Sequence, residues 1–199
     1  MKLLAFSDLH RDAAVAQTIV EAARQADVVI AAGDFATMGH GLSDTLDILR
    51  AISVPTILIA GNHDHLDDLR AACAGWSQAH VLHGEGLSLG GIDFFGLGFE
   101  VSTVDRGPWN SQISETEAVH ALSPCPTGAV LVTHAPANGV ADLQANGAHE
   151  GSHAVRAIIE QRQPRLHLCG HIHNAWGTSG TIGASPSHNL GPRVNWFEV

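Results

Sequence analysis

Five times along this chain a short apolar run ends in a turn that carries Asp, Asn or His. The turns are Asp8-Leu9-His10, Gly33-Asp34, Gly61-Asn62-His63-Asp64, Thr133-His134 and Gly170-His171-Ile172-His173. Taken singly, each is ordinary turn chemistry or a helix cap. Together they have a common explanation in a shared metal centre, because N and O side chains must converge from several loops to enclose an ion. That demand constrains the fold. In an open α/β sheet, ligands gather at the carboxyl ends of the strands, and all five turns follow apparent strands.

The order of elements agrees with such a sheet. Residues 2–7 alternate loosely as a strand, 13–25 have helical spacing, and 28–32 form a continuous apolar run expected of a strand covered on both faces. Residues 42–52 read as a helix, 56–60 as a strand after Pro55, and 66–74 as a short helix. This β-α-β-α-β order implies a layered α/β core with right-handed crossovers. The middle is broken by Gly84, Gly86, Gly90-Gly91 and Gly98, and reads as a hairpin or meander beside that core. A surface loop is expected over 100–113 and a helix over 115–122. Residues 129–133 read as a strand and 135–150 as a long loop. A helix capped by Ser152 follows over 152–163, then a strand over 166–169 and short closing strands over 178–182, 187–190 and 194–199.

Size and charge narrow the function classes. The 199 residues are expected to form a single domain over 1–199, with 45% hydrophobic and 15% charged residues. The formal charge of −10 offers no cationic footprint for duplex nucleic acid or anionic lipid, so neither stable nucleic-acid binding nor a membrane partner is expected. No apolar run approaches transmembrane length, and 2–6 end too soon for a signal-peptide core. The three cysteines, Cys73, Cys125 and Cys169, lack metal-type spacing. Reduced thiols in a cytoplasmic protein are the simplest expectation.

The turns supply seven candidate ligands. Asp8 and His10, two apart, can point to the same side of an extended turn, and Gly33 permits a bend that brings Asp34 forward. Asn62 offers an amide oxygen, and His134, His171 and His173 offer imidazole nitrogens. A single ion takes about three to six protein ligands, so seven suggest two ions that share a bridging carboxylate. The N/O set, without sulfur, suits two divalent or transition ions such as Mn, Fe, Zn, Co or Ni better than Ca.

In this order the residues resemble the calcineurin-like metallophosphoesterases, whose signature runs D-x-H, G-D, G-N-H-[DE], a lone His and G-H-x-H. The resemblance spans nearly the whole chain. Thr133-His134-Ala135-Pro136, Gly151-Ser152, Pro164-Arg165-Leu166-His167 and Asn189-Leu190-Gly191-Pro192 look more narrowly like small, capless bacterial members. The resemblance implies a four-layer α/β/β/α sandwich of two mixed sheets, with the metal site at the strand C-terminal ends. It implies that Asp8, His10, Asp34 and His173 hold one ion, and that Asp34, Asn62, His134 and His171 hold the other, with Asp34 bridging. The implied activity is that of a dinuclear phosphoric ester hydrolase, attacking by a metal-bridging hydroxide. The substrate is expected to be a small phosphodiester, such as a cyclic nucleotide, or a small phosphomonoester. His63, not a ligand, would protonate the leaving oxygen or bind a phosphate oxygen. Asp64 would accept the other ring N–H of His63 and fix its tautomer.

The chain departs from the pattern in places. Thr37 stands where the family often has an acid after G-D. Met38-Gly39 and His65 stand where Ser/Thr protein phosphatases carry phosphate-gripping arginines, so protein phosphatase activity is not expected. Arg106, Trp109 and Asn110 on one loop, and Asn138, Asn146, His149 and Glu150 on another, are candidates for shaping specificity. Trp76, Trp176 and Trp196 read as packing anchors, and Cys169 as a buried strand thiol. Two competing readings remain: a nuclease, and a non-catalytic metal-binding scaffold, which would have no need of His63.

Overall fold

The computed structural model describes residues 1–199. Continuous apolar strands such as Leu3-Leu4-Ala5-Phe6 work here because alternate side chains serve different cores. Leu4, Phe6, Val29, Ala31 and Leu58 face the first three helices, α1 (Ala13–Ala23), α2 (Leu42–Leu49) and α3 (Leu66–Ala72). Leu3, Ala5, Val28, Ile30 and Ile57 face the opposite way, onto Phe94, Val130, Val132, Leu166 and Leu168 of a second sheet. The outer face of that sheet, with Phe95 and Leu131, is covered by α4 (Glu115–Leu122) and α5 (His153–Arg162). Three cores between four layers make the α/β/β/α sandwich expected from the sequence.

The first sheet contains β1 (Lys2–Phe6), β2 (Val28–Ala31), β3 (Thr56–Leu58) and β4 (Ala79–Val81), all parallel. The second contains β5 (Glu85–Leu89), β6 (Ile92–Leu97), β9 (Val130–Thr133), β10 (Leu166–Cys169), β11 (Ser179–Ile182) and β12 (Ser185–Asn189), where β7 (Glu100–Val101) and β8 (Gln112–Ile113) form a separate small pair. Strands β6, β9, β10 and β12 are parallel, with antiparallel β5 and β11 at the edges. The last strand, β13 (Asn195–Glu198), returns to the first sheet antiparallel to β1. Both sheets are mixed, and both place their parallel C-terminal ends at the same edge.

Two expectations about the middle of the chain need correction. The glycine-broken stretch is no appendage: β4 completes the first sheet, while the β5–β6 hairpin forms an edge of the second. The chain changes sheets between them. The expected loop over 100–113 contains the β7–β8 parallel pair. The helices begin where caps dictate, Asp12 at α1, Ser152 at α5 and a Ser114–Glu117 capping box at α4, and most end a residue or more before the expected limits. All three cysteines are buried and free, and no helix is long and apolar enough to cross a membrane.

Candidate metal centre

The five turns meet at the edge where the two sheets end together. Backbone bonds lock them: Asp8 N–H donates to Gly33 O (2.9 Å), His10 N–H to Asp34 O (2.9 Å), and Gly170 N–H to His134 O (3.1 Å). The packing leaves no room for side chains at the contact between the second and third turns. A Cβ on Gly33, whose φ is +93°, would stand 2.6 Å from Gly61 N and 2.7 Å from His134 Nδ1. Four candidate ligands themselves have left-handed backbone, Asp8 (φ 56°), His10 (43°), Asp34 (59°) and His171 (69°). Such conformations are uncommon outside glycine and persist where the surroundings over-determine them.

All seven candidate ligands are brought together. Single ligand atoms of Asp8, His10, Asp34 and His173 lie within 4.8 Å of one another. Asp34 Oδ2 is 3.4 Å from His10 Nε2 and 3.4 Å from His134 Nε2, so it stands between two clusters. On the far side, Asn62 Oδ1 is 3.1 Å from His134 Nε2 and 3.0 Å from His171 Nδ1. These are the two sets implied by the family resemblance, joined at Asp34.

The hydrogen bonds around the cluster test whether it fits cations. His10 Nδ1 donates to Ala36 O at 3.1 Å and His134 Nδ1 to Ala32 O at 2.8 Å, which leaves the Nε2 lone pair of each neutral ring turned inward. Asn62 Nδ2 donates to Asn110 Oδ1 at 2.8 Å, which turns the Asn62 oxygen inward too. Acceptor therefore faces acceptor, as His10 and His134 Nε2 against Asp34 Oδ2. Only a proton or a cation between them satisfies that arrangement. The protein on its own responds with protons. Burial opposes a charge on His134, but Asp34 and Asp8 outweigh it and raise the imidazole to about 9. Burial likewise opposes the Asp34 anion, but His134, His63 and His10 hold its carboxyl well below the usual range. His171, largely withdrawn from solvent and beside His134, is pushed down to about 4 and is neutral, as a ligand must be.

His63 lies at the rim, its ring edge-on to His10 with centroids 4.8 Å apart. Its tautomer is fixed, but not by Asp64 as the sequence suggested. Met38 N–H donates to His63 Nδ1 at 2.8 Å, so the neutral ring carries its proton on Nε2. Asp64 is turned away into the protein. It accepts from the backbone N–H of Asp34 (2.8 Å), Ala36 (2.8 Å), Gly61 (2.9 Å) and Phe35 (3.3 Å), and so ties the second turn to the third. Burial, then the Asp34 charge, raises its carboxyl to about 6. Asp64 is a positioning residue for Asp34, not a proton relay for His63.

Other residues reach the centre without an obvious signal in the sequence. Ser7 Oγ–H and Trp176 Nε1–H both donate to Asp8 Oδ2, the latter at 3.0 Å. Buried Glu100 accepts from Arg106 and Asn110, and its Oε1 lies 4.0 Å from His171 Nε2. Trp109 lies against His63, centroids 4.7 Å apart. A pocket of about 270 Å³ opens beside His171, between Glu100, Val101, Val104, Arg106 and Glu150. A larger hollow of about 600 Å³ lies along Leu42, Ser43, Asp44 and Asp68 and touches none of the seven ligands. Of the second specificity loop, His149 pairs with Asp142 at 2.6 Å, and Asn146 Oδ1 accepts from Ala148 N–H. Asn138 O accepts from Arg156, and Glu150 alone lines the pocket beside the centre. His65 caps α3 without a side-chain bond to the helix.

Comparison with known proteins gives the family and the fold. Residues 1–175 match the family model described as calcineurin-like phosphoesterase. A crystal structure of a Thermus thermophilus protein superposes with a TM-score of 0.78 at 16% identity, covering 99% of this chain and 98% of that one. A dimetal phosphatase from Danio rerio gives 0.63 at 15% identity, covering 96% and 88%. A structure described as a novel archaeal phosphodiesterase gives 0.55 at 12% identity, covering 96% and 84%. At these low identities the superpositions show a shared fold. Comparison with curated proteins finds no significant match.

Proposed function

The chain belongs to the calcineurin-like phosphoesterase family, and on that premise we propose that it is a two-metal hydrolase of small phosphodiesters. The observation that carries the proposal is the set of inward lone pairs on either side of Asp34, which a pair of cations satisfies. Asp8, His10, Asp34 and His173 would hold one ion, and Asp34, Asn62, His134 and His171 the other. When bound, the ions supply Lewis acidity, drawing charge from the phosphoryl oxygens and acidifying a water for attack on phosphorus. Mn, Fe, Zn, Co and Ni all suit these donors.

The chain's own residues complete the chemistry. His63 presents Nε2–H at the rim, where it donates to a phosphate oxygen or to the departing oxygen. Its tautomer, held by Met38 N–H, keeps the proton on that atom. Burial lowers the pKa of His63, so the ring is neutral near pH 7 and acts as a hydrogen-bond donor without repelling the ions. A scaffold would have no use for such a residue.

The pocket beside His171 favours a diester over a monoester. A diester carries two substituents: one leaves past His63 and Trp109, and the other stays on phosphorus and needs a second space. At about 270 Å³ the pocket suits a small sugar- or glycerol-sized group, and the charge of −10 disfavours a nucleic-acid strand. Small cyclic or open phosphodiesters are therefore the proposed class.

The test compares bis(p-nitrophenyl) phosphate with p-nitrophenyl phosphate on protein loaded with Mn, Co, Ni or Zn, followed by 2′,3′- and 3′,5′-cyclic nucleotides. Faster turnover of the diester is expected, and His63→Ala should lose on the order of 100-fold or more in kcat at unchanged metal content. No hydrolysis with any metal would sink the enzymatic reading in favour of the scaffold. Full activity of His63→Ala would remove its assigned role.

A further inference from the structure

In three of the four histidine ligands, something in the protein stands against the ring nitrogen that does not face the ions. His10 and His134 give that N–H to the carbonyls of Ala36 and Ala32, and His171 turns Nε2 toward Glu100. A metal-binding imidazole needs such a hold, because it sets both tautomer and ring orientation. His173 lacks one. Its polar contacts are all through Nε2, with His10 at 3.2 Å and Asp8 Oδ1 at 4.0 Å, no protein acceptor takes Nδ1–H, and its side chain is 50% exposed. What does hold the ring is the indole of Trp176, stacked against it with centroids 4.2 Å apart and planes 33° from parallel.

The same indole controls a second ligand of the same ion. Trp176 Nε1–H donates to Asp8 Oδ2, the oxygen that also takes the Ser7 hydroxyl. With Oδ2 occupied by two donors, Oδ1 is the oxygen turned toward the centre, where it accepts His171 N–H at 3.0 Å and lies 4.0 Å from His173 Nε2. The chain makes room for this arrangement. A Cβ on Gly191 would stand 2.8 Å from Trp176 Cγ, and Gly191 is bonded back to Ser7 in both directions, N–H to Ser7 Oγ (2.9 Å) and O from Ser7 N–H (3.1 Å). Asp8 and His173 are 165 positions apart in sequence (173 − 8 = 165), and one side chain fixes both.

We propose that Trp176 is the positioning residue of the first metal ion: its N–H commits Asp8 to coordination through Oδ1, and its face does for His173 what backbone carbonyls do for His10 and His134. This rests on the two-ion reading of the site. The indole makes no hydrogen bond or ring contact with Asn62, His134 or His171 and does not line the pocket beside His171, so its direct influence falls on the first ion, and the second feels it only through the His171 N–H bond to Asp8.

The test uses Trp176→Phe, which keeps an aromatic face but loses the N–H, and Trp176→Leu, which loses both, in the full chain. Mn binding is followed by calorimetry on metal-free protein, and Co binding by quenching of tryptophan fluorescence. In the parent, the weaker-binding ion should quench strongly, since the indole adjoins its ligand, and that quench should fall in Trp176→Phe to the part owed to Trp109 beside His63. The dissociation constant of that ion should rise on the order of tenfold in Trp176→Phe and up to 100-fold in Trp176→Leu, with the tighter ion unaffected. The melting temperature of metal-free protein should stay the same, which separates positioning from a structural role. Unchanged binding of both ions in Trp176→Leu overturns the proposal, as does a loss of affinity shared equally by both ions or matched by a fall in metal-free melting temperature. Failure of the phosphodiesterase reading shows separately, as absent diester turnover by the parent with both ions bound.

Discussion

The two halves of the metal centre use the same donor types but are built differently. Around the proposed second ion, His134 is fully buried, Asn62 is 4% exposed, and His171 lies between Asn62, at 3.0 Å, and Glu100, at 4.0 Å. Around the proposed first, the side chains of His10 and His173 are 20% and 50% exposed, and behind the His173 ring stands only the Trp176 indole. On the two-ion reading, the difference implies that ligand identity would not by itself set how firmly each ion is kept. Burial and the bonds behind each ligand would, because they decide how much of the site must move to release it.

The sharpest way to break this contrast is to remove what the halves share. Asp34→Asn keeps the shape and an oxygen for the backbone N–H of His63, but not the charge between the clusters. Both ions should be lost on desalting, with activity down at least 100-fold, as read by metal analysis and diester turnover. One ion retained at parental affinity would show that Asp34 does not bridge.

A smaller effect separates the halves. A chelator added to loaded protein should withdraw the ions in two phases, the first-half ion leaving sooner. His173→Ala should abolish the fast phase and leave the slow one, while His134→Ala should do the reverse. A single phase in the parent, or the opposite assignment, would reverse the contrast drawn from exposure.

The smallest effect concerns what lies under the buried half. His167 on β10 is fully buried between Thr133 Oγ1 (2.9 Å) and Ser187 Oγ (2.7 Å), and burial, with His188 adding to it, pushes its imidazole down to about 3. A folded-state value below the unfolded one, about 6.5, means that the unfolded chain binds the proton. The contribution is therefore complete above about pH 6.5 and is lost as pH falls toward 3, on the order of a few kcal/mol. His167→Gln should flatten the fall in melting temperature between pH 7 and pH 4. An equally steep fall in the variant would assign the acid sensitivity to other groups.

Much of this was legible in the sequence, and the reason is local. Each ligand sits within a few residues of a strand end, often beside a glycine that the crowding requires, so spacing carried the signal. The layers were legible in part, since residues 28–32 read as a strand covered on both faces, while the four-layer order was implied by the family resemblance. Partners across the chain were not. Asp64 looked like the neighbour of His63, but its four donors come from Gly61 and from residues 34–36, which only the meeting of two turns brings near. Trp176 looked like a packing anchor because nothing near it in sequence reveals Asp8. The middle strands misled for a related reason: short glycine-bounded runs look alike, and long-range pairing alone decides which sheet takes each.

Each cluster draws on both sheets: His173 joins three ligands from the first sheet, and His134 and His171 join two. Occupied, the centre is then a pair of rivets across a seam between two slabs that are otherwise joined at that edge by hydrogen bonds and side-chain packing. On the two-ion reading, loading would be a mechanical act as well as a chemical one, fastening the slabs at the edge that the proposed substrate approaches.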